Sequence, residues 1–233
     1  MGNIADRPFV NRISLLIRDF EALKAAQRFN KLRRIEDFLA TFRKKRREQH
    51  ISQMAWNIFP LLGIGADEVT HSRILAWLLN AESPHGEGPL FLKTFVESCG
   101  LPLGDSDLDR YVVRTEFSGL ESVVDIMIYQ KGRFMIYVEN KIHAAEGPNQ
   151  IDREFRDMRS AGRSLGIPDK QLFAIFLTPD GREPVSGDAT NWTPVSYTRM
   201  ATDFRQLLPC LRSSKVRMLL GDWIEIVLAF GGD

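Results

Sequence analysis

The stretch Val123-Val124-Asp125-Ile126-Met127-Ile128-Tyr129-Gln130-Lys131-Gly132-Arg133-Phe134-Met135-Ile136-Tyr137-Val138-Glu139-Asn140-Lys141 decides the fold. β-Branched and aromatic residues dominate both halves, and Lys131-Gly132 supplies a turn. The spacing predicts two strands, 123–129 and 134–141, folded back antiparallel. Period two sends Phe134, Ile136 and Val138 to one face, and Met135, Tyr137, Glu139 and Lys141 to the other. In the first strand Val124, Ile126 and Ile128 share a face, and Asp125 joins Val123 and Met127. The pairing brings Asp125, early in one strand, to Glu139, late in the next. Two carboxylates at one point repel unless a divalent cation lies between them, and hard oxygen ligands suit magnesium. Lys141 beside them could orient or help deprotonate a metal-bound water. The plainer alternative is a surface ion pair between Glu139 and Lys141, with Asp125 merely starting a strand. The apolar flanks favour the site, because charges at the end of an apolar strand are costly to bury unless paired or bound.

Outward from the hairpin, residues 111–116 read as a preceding strand. Residues 149–162 form a helix, 171–177 a strand closed by Thr178-Pro179-Asp180-Gly181, and 194–196 a short extended piece. Two helices follow, near 200–211 and 215–230. Upstream, residues 51–62, a helix beginning at Asp67 and a helix over 90–99 precede the strands. Residues 12–49 contain no proline and carry apolar residues at helical spacing. The predicted fold is mixed α/β, in the order helix, three-stranded meander, helix, strand, with an all-helical N-terminal extension. The predicted domains are a helical N-terminal extension, 1–62, and a core with C-terminal helices, 63–233.

Composition excludes several classes. With 44% hydrophobic and 26% charged residues among 233, the chain is neither disordered nor fibrous. Two cysteines provide no disulfide framework and no cysteine-based zinc cluster. The longest uncharged run, residues 51–66, is too short and too polar to span a membrane, and no signal-peptide pattern opens the chain. These features predict a soluble cytoplasmic protein with no membrane partner. The net charge of +1 hides an asymmetry: residues 1–50 hold 13 Lys and Arg against 6 Asp and Glu. The block Arg43-Lys44-Lys45-Arg46-Arg47, with Lys44 and Arg47 as candidate contacts, could attract a polyanion, or could be a solvated helix face.

Asp125, thirteen residues, then Glu139-Asn140-Lys141 resembles the signature of the PD-(D/E)XK nuclease superfamily. The likeness sharpens toward a bacterial branch through Asp67-Glu68-x-x-His71-Ser72-x-x-Leu75-Ala76-Trp77-Leu78-Leu79, His85-Gly86 and Glu146-x-Pro148-Asn149-Gln150. Phe176-Leu177-Thr178-Pro179-Asp180-Gly181, Glu183-Pro184 and Trp192-x-Pro194-x-Ser196-Tyr197 extend it, so that it spans about residues 57–197. The resemblance implies a restriction-endonuclease-like α/β core, with Asp125 and Glu139 as metal ligands completed by the backbone carbonyl of Asn140. It implies Glu68 as a helical acid added to the metal shell, and Gln150 as a polar residue directed at the site or at the nucleic-acid backbone. Lys141 would stabilise the attacking hydroxide or the charge developing on phosphate. Val124 stands where the motif has proline. Where the family often shows Gln followed four residues later by Tyr, this chain has Gln150 and Glu154, with Phe155 next.

Other residues carry weaker signals. His71 shares a helix face with Glu68 and reads either as a hydrogen bonder near the site or as a buried structural histidine. His85 reads as structural and His143 as an exposed loop residue, while Glu116 could add a carboxylate. Trp77, Phe91, Phe95, Trp223 and Phe230 read as core. Arg153, Arg156, Arg159 and Arg163 recur every three or four residues beside the proposed site, as a phosphate track or a solvated face. The sequence thus predicts a magnesium-dependent nuclease, with manganese able to substitute, acting on DNA in preference to RNA. A homodimer and a role in phage defence follow from family habit alone. A catalytically silent binding module of the same fold and an RNA-directed nuclease are the alternatives.

Overall fold

The computed structural model describes residues 56–230, together with Arg18 and Lys24, which are helical and exposed. The N-terminal helices expected over 12–49, and with them Lys44 and Arg47, otherwise lie outside the described residues. The chain divides into two compact units, Met1–Trp56 and Asn57–Asp233. No helix among the described residues is long and apolar enough to cross a membrane.

Three helices open the second unit: α1 (Ile58–Leu61), α2 (Glu68–Leu79) and α3 (Leu90–Ser98). Gly100, at a left-handed φ of 65°, ends the third. The strands β1 (Val112–Ser118), β2 (Val123–Gln130) and β3 (Phe134–Asn140) form the antiparallel meander. Helix α4 (Gln150–Ser164) crosses over to β4 (Leu172–Thr178), which pairs parallel to β3, and β5 (Trp192–Ser196) pairs parallel to β4. The sheet order is β1-β2-β3-β4-β5. Helices α5 (Tyr197–Arg205) and α6 (Ser214–Ala229) complete the unit. The expected helix over 200–211 instead begins at Tyr197, capped by Ser196, and gives way to a separate short turn at Leu208–Cys210. Pro209 in that turn cannot donate a helical hydrogen bond.

Layering follows the expected alternation in β3. Phe134, Ile136 and Val138 join Leu75, Leu78, Phe91, Tyr197 and Trp223 in the larger core, under α2, α3, α5 and α6. Met135 and Tyr137 face the other way, onto Ile151 and Met158 of α4. Every residue of β3 is buried, as a central strand covered on both faces requires.

The expected alternation fails in β2. Val124 packs with Met127 and Tyr137, on the side opposite Ile126 and Ile128. The neighbouring strand turns over at the same level, since Val113 lies in the larger core and Phe117 in the smaller. Between them Glu116 adopts φ 49°, a left-handed conformation that costs an L-residue free energy. Register is unbroken across this point, with Thr115 opposite Ile126 and Phe117 opposite Val124. Both strands therefore roll over at the Glu116 and Asp125 level, where no glycine marks the event.

Candidate active site

The β2–β3 pairing runs from Gln130 opposite Phe134 to Ile126 opposite Val138, which sets Asp125 level with Glu139. There the ladder stops, and a side chain replaces it: the backbone N–H of Asn140 donates to Asp125 Oδ2 at 2.8 Å. The carboxylate substitutes for a strand carbonyl, which holds Asp125 in the plane where the two strands part.

Glu139 is buried, and its Oε1 takes two donors, Lys141 Nζ at 2.8 Å and Gln150 Nε2 at 2.5 Å. Its Oε2 is buried and has no hydrogen-bond partner among the described residues. The same Gln150 Nε2 donates to Glu154 Oε1 at 2.8 Å, while Gln150 Oε1 accepts Gly147 N–H at 2.9 Å. Glu154 is fully buried, and its Oε2 also lacks a partner among the described residues. From sequence, Glu154 has no role in the site, only a place off the arginine stripe and a departure from the family pattern. Its position four residues after Gln150, on the same helix face, was the available signal.

Electrostatics reflect three acids around one ammonium. Burial raises the Asp125 carboxyl to about 6, against the opposing pull of the Asn140 N–H and Lys141. Burial, then the charges of Asp125 and Glu154, hold Glu139 well above the usual carboxylate range. Burial also raises Glu154 to about 7, though Gln150 and Lys141 oppose it. Burial acts to lower Lys141, but its contact with Glu139 and the charges of Asp125 and Glu68 outweigh that and raise it. Lys141 is therefore an ammonium, suited to stabilising negative charge.

Glu68 reaches the site from α2 in a supporting way. Its Oε1 accepts the N–H groups of Ile142, His143 and Ala144 at 2.8, 2.9 and 2.9 Å, fixing the loop that leaves β3. Burial opposes ionisation, but these three donors and Lys141 hold the carboxyl below its ordinary value. Asn140 ties three elements together through its side chain. Nδ2 donates to Ser72 Oγ at 3.1 Å and to Glu68 O at 3.2 Å, and Oδ1 accepts Tyr197 O–H at 2.9 Å. Ser72 and Tyr197 stand in the sequence blocks, but nothing in their types announced this role.

The remaining candidates are accounted for elsewhere. Trp223 Nε1 donates to His71 Nδ1 at 3.0 Å, so Nε2 carries the proton given to Gly65 O at 2.9 Å. His71 is thus a buried, neutral structural residue. His85 receives Glu87 N–H at 3.0 Å and pairs with Asn80 O, as a loop holder. Glu116 pairs with Arg73 at 2.8 Å. In the arginine series, Arg156 pairs with Glu121 at 2.5 Å, Arg159 pairs with Asp169 at 2.7 Å, and Arg153 donates to Pro148 O. Two acids of the same helix, Glu154 and Asp157, are buried. Asp157 accepts N–H groups from Leu120, Glu121 and Ser122 together with the Ser122 hydroxyl.

A cavity of about 380 Å³ opens beside Lys141, lined also by His143, Asp180, Arg182 and Phe230. Among the described residues, no three acids, histidines or cysteines stand close enough to enclose a cation as they are. Asp125 and Glu68 each have an oxygen engaged by backbone N–H groups. The donor set nevertheless suits a hard divalent ion: Asp125 and Glu139 stand level on neighbouring strands, burial raises both, and among the described residues Glu139 Oε2 is buried without a partner.

The profile of the PD-(D/E)XK nuclease superfamily matches residues 56–222, and the chain belongs to this superfamily. No curated protein and no solved structure matches it.

Proposed function

We propose that this member of the PD-(D/E)XK nuclease superfamily hydrolyses phosphodiester bonds of DNA with the help of magnesium. The observation that carries the reading is the meeting of Asp125, Glu139 and Lys141 where β2 and β3 separate, with Glu139 Oε2 buried and without a partner among the described residues.

Asp125 and Glu139 would hold the cation, with the Asn140 carbonyl beside them, and Glu68 would keep the adjoining loop in shape. When bound, magnesium would neutralise charge on the phosphate and make water more acidic. The chain's own residues do the rest. Lys141, fixed by Glu139 and kept charged, offers an ammonium to the negative charge that builds on the phosphate oxygens. Gln150 orients Glu139 from the start of α4. The cavity beside Lys141 would let the nucleic-acid backbone approach that ammonium. DNA is preferred over RNA on the superfamily likeness, and the basic N-terminal segment and Arg153 would add phosphate contacts.

The test is incubation of purified protein with supercoiled plasmid, linear duplex, single-stranded DNA and RNA, each with magnesium, manganese or EDTA. Metal-dependent cleavage of DNA, reduced at least about 100-fold by Lys141→Ala, is expected. Cleavage of RNA alone would move the substrate class. Binding without cleavage of any substrate would leave a silent binding module.

A further inference from the structure

We propose that Glu154 is a positioning residue that aims Glu139 by holding Gln150, an inference that rests on the cation-dependent reading above. Glu154 lies one helical turn beyond Gln150 on α4 and has no solvent exposure. Fully buried acids are rare and costly unless something satisfies them. Among the described residues the Glu154 side chain takes part in no ion pair within 4.0 Å, and its one hydrogen bond is from Gln150. A carboxylate kept this way contributes little to stability, so its burial needs another reason.

That reason is the amide it holds. A glutamine side chain has two N–H donors on one nitrogen and one carbonyl. In Gln150 all are engaged: Oε1 by Gly147 N–H at 2.9 Å, and Nε2 by Glu139 Oε1 at 2.5 Å and Glu154 Oε1 at 2.8 Å. Gln150 is therefore fixed on three sides. Lys141 Nζ reaches the same Glu139 Oε1 at 2.8 Å, so that oxygen carries both donors and Oε2 carries none. The arrangement locks the rotation of Glu139 and leaves its second oxygen bare. Without an acceptor at position 154, one Gln150 N–H would lose its partner, and the amide would be free to turn from Glu139. Partners of this kind, one step removed from a metal ligand, commonly set its orientation and affinity.

The experiment compares the wild-type chain with Glu154→Gln, which keeps an oxygen acceptor without the charge, and with Glu154→Leu, which keeps neither. The first readout is the Gln150 side-chain amide by NMR in metal-free protein, identified by its loss in Gln150→Leu. The second is calorimetric titration with Mn²⁺, alongside thermal unfolding. The wild type is expected to show a protected Gln150 amide, retained in Glu154→Gln and released in Glu154→Leu. Mn²⁺ affinity is expected to fall about tenfold or more in Glu154→Leu and to stay near wild type in Glu154→Gln. An unchanged amide and unchanged affinity in Glu154→Leu would overturn the proposal. Equal loss of affinity in both variants would also overturn it, because charge rather than orientation would then be at work. Wild-type protein that takes up no Mn²⁺ would overturn the cation reading, while the amide signal still decides whether Glu154 holds Gln150.

Discussion

Asp125 accepts the backbone N–H of Asn140 at 2.8 Å, and so completes by a side chain the ladder that β2 and β3 abandon one residue earlier. The bond fixes one carboxylate oxygen and ties the acid to the residue directly after Glu139. Burial raises both acids in the metal-free fold, and the charge of Asp125 raises Glu139 further. A divalent ion held between them would offset that cost only in the folded state, so that its binding would be read as stability.

Magnesium at 100 times its dissociation constant is expected to stabilise the wild type by about 2.7 kcal/mol. In Glu139→Gln the gain should largely vanish, since the bare oxygen and its charge are gone. Thermal unfolding across a magnesium series checks this, and an equal rise in both proteins would contradict it.

Glu68→Gln should loosen the loop after β3, because an amide oxygen is a weaker acceptor than a carboxylate for the Ile142, His143 and Ala144 N–H groups. Faster hydrogen exchange at those three amides is expected, with a stability loss of about 1–3 kcal/mol. Unchanged exchange there would count against the role given to Glu68.

Tyr197→Phe removes the donor to Asn140 Oδ1 and leaves a buried carbonyl oxygen unsatisfied. The expected cost is about 1–3 kcal/mol in urea unfolding. Cleavage should fall too if the end of β3 shifts.

Asp157 supplies the pH dependence. Burial would raise it, but the Ser122 hydroxyl and the hairpin N–H groups outweigh that and hold it below its ordinary value. A depressed carboxyl stabilises the fold above the unfolded value, near 3.8, and that contribution is lost as pH falls through the folded value. Asp157→Asn should therefore destabilise the protein at pH 7 by about 1–3 kcal/mol. The gap from wild type should close below about pH 3.8. Chemical denaturation at pH 7, 5 and 3 measures it.

Much of this was legible in the sequence because it rests on periodicity. The alternation of Phe134 to Glu139, the turn at Gly132 and the apolar flanks were enough to bring Asp125 level with Glu139 and to order the elements. What escaped was nonlocal. The rollover at Asp125 depends on a left-handed Glu116 in the adjacent strand, which no residue preference signals. Burial of Glu154 depends on which face α4 turns to the sheet, and a helix rich in charge gives that poorly. The arginines looked unengaged because the partner of Arg156, Glu121, lies 35 residues upstream, and that of Arg159, Asp169, lies beyond the end of the helix.

The Asn140 side chain joins Ser72 of α2, Glu68 O and Tyr197 of α5 at the end of β3. Replacing it with an apolar residue would strand a hydroxyl on each side, so the three positions constrain one another's evolution. Among relatives, a change at 140 should arrive with changes at 72 and 197, and a chimera that swaps only one of the three should fold worse than one that exchanges all of them together.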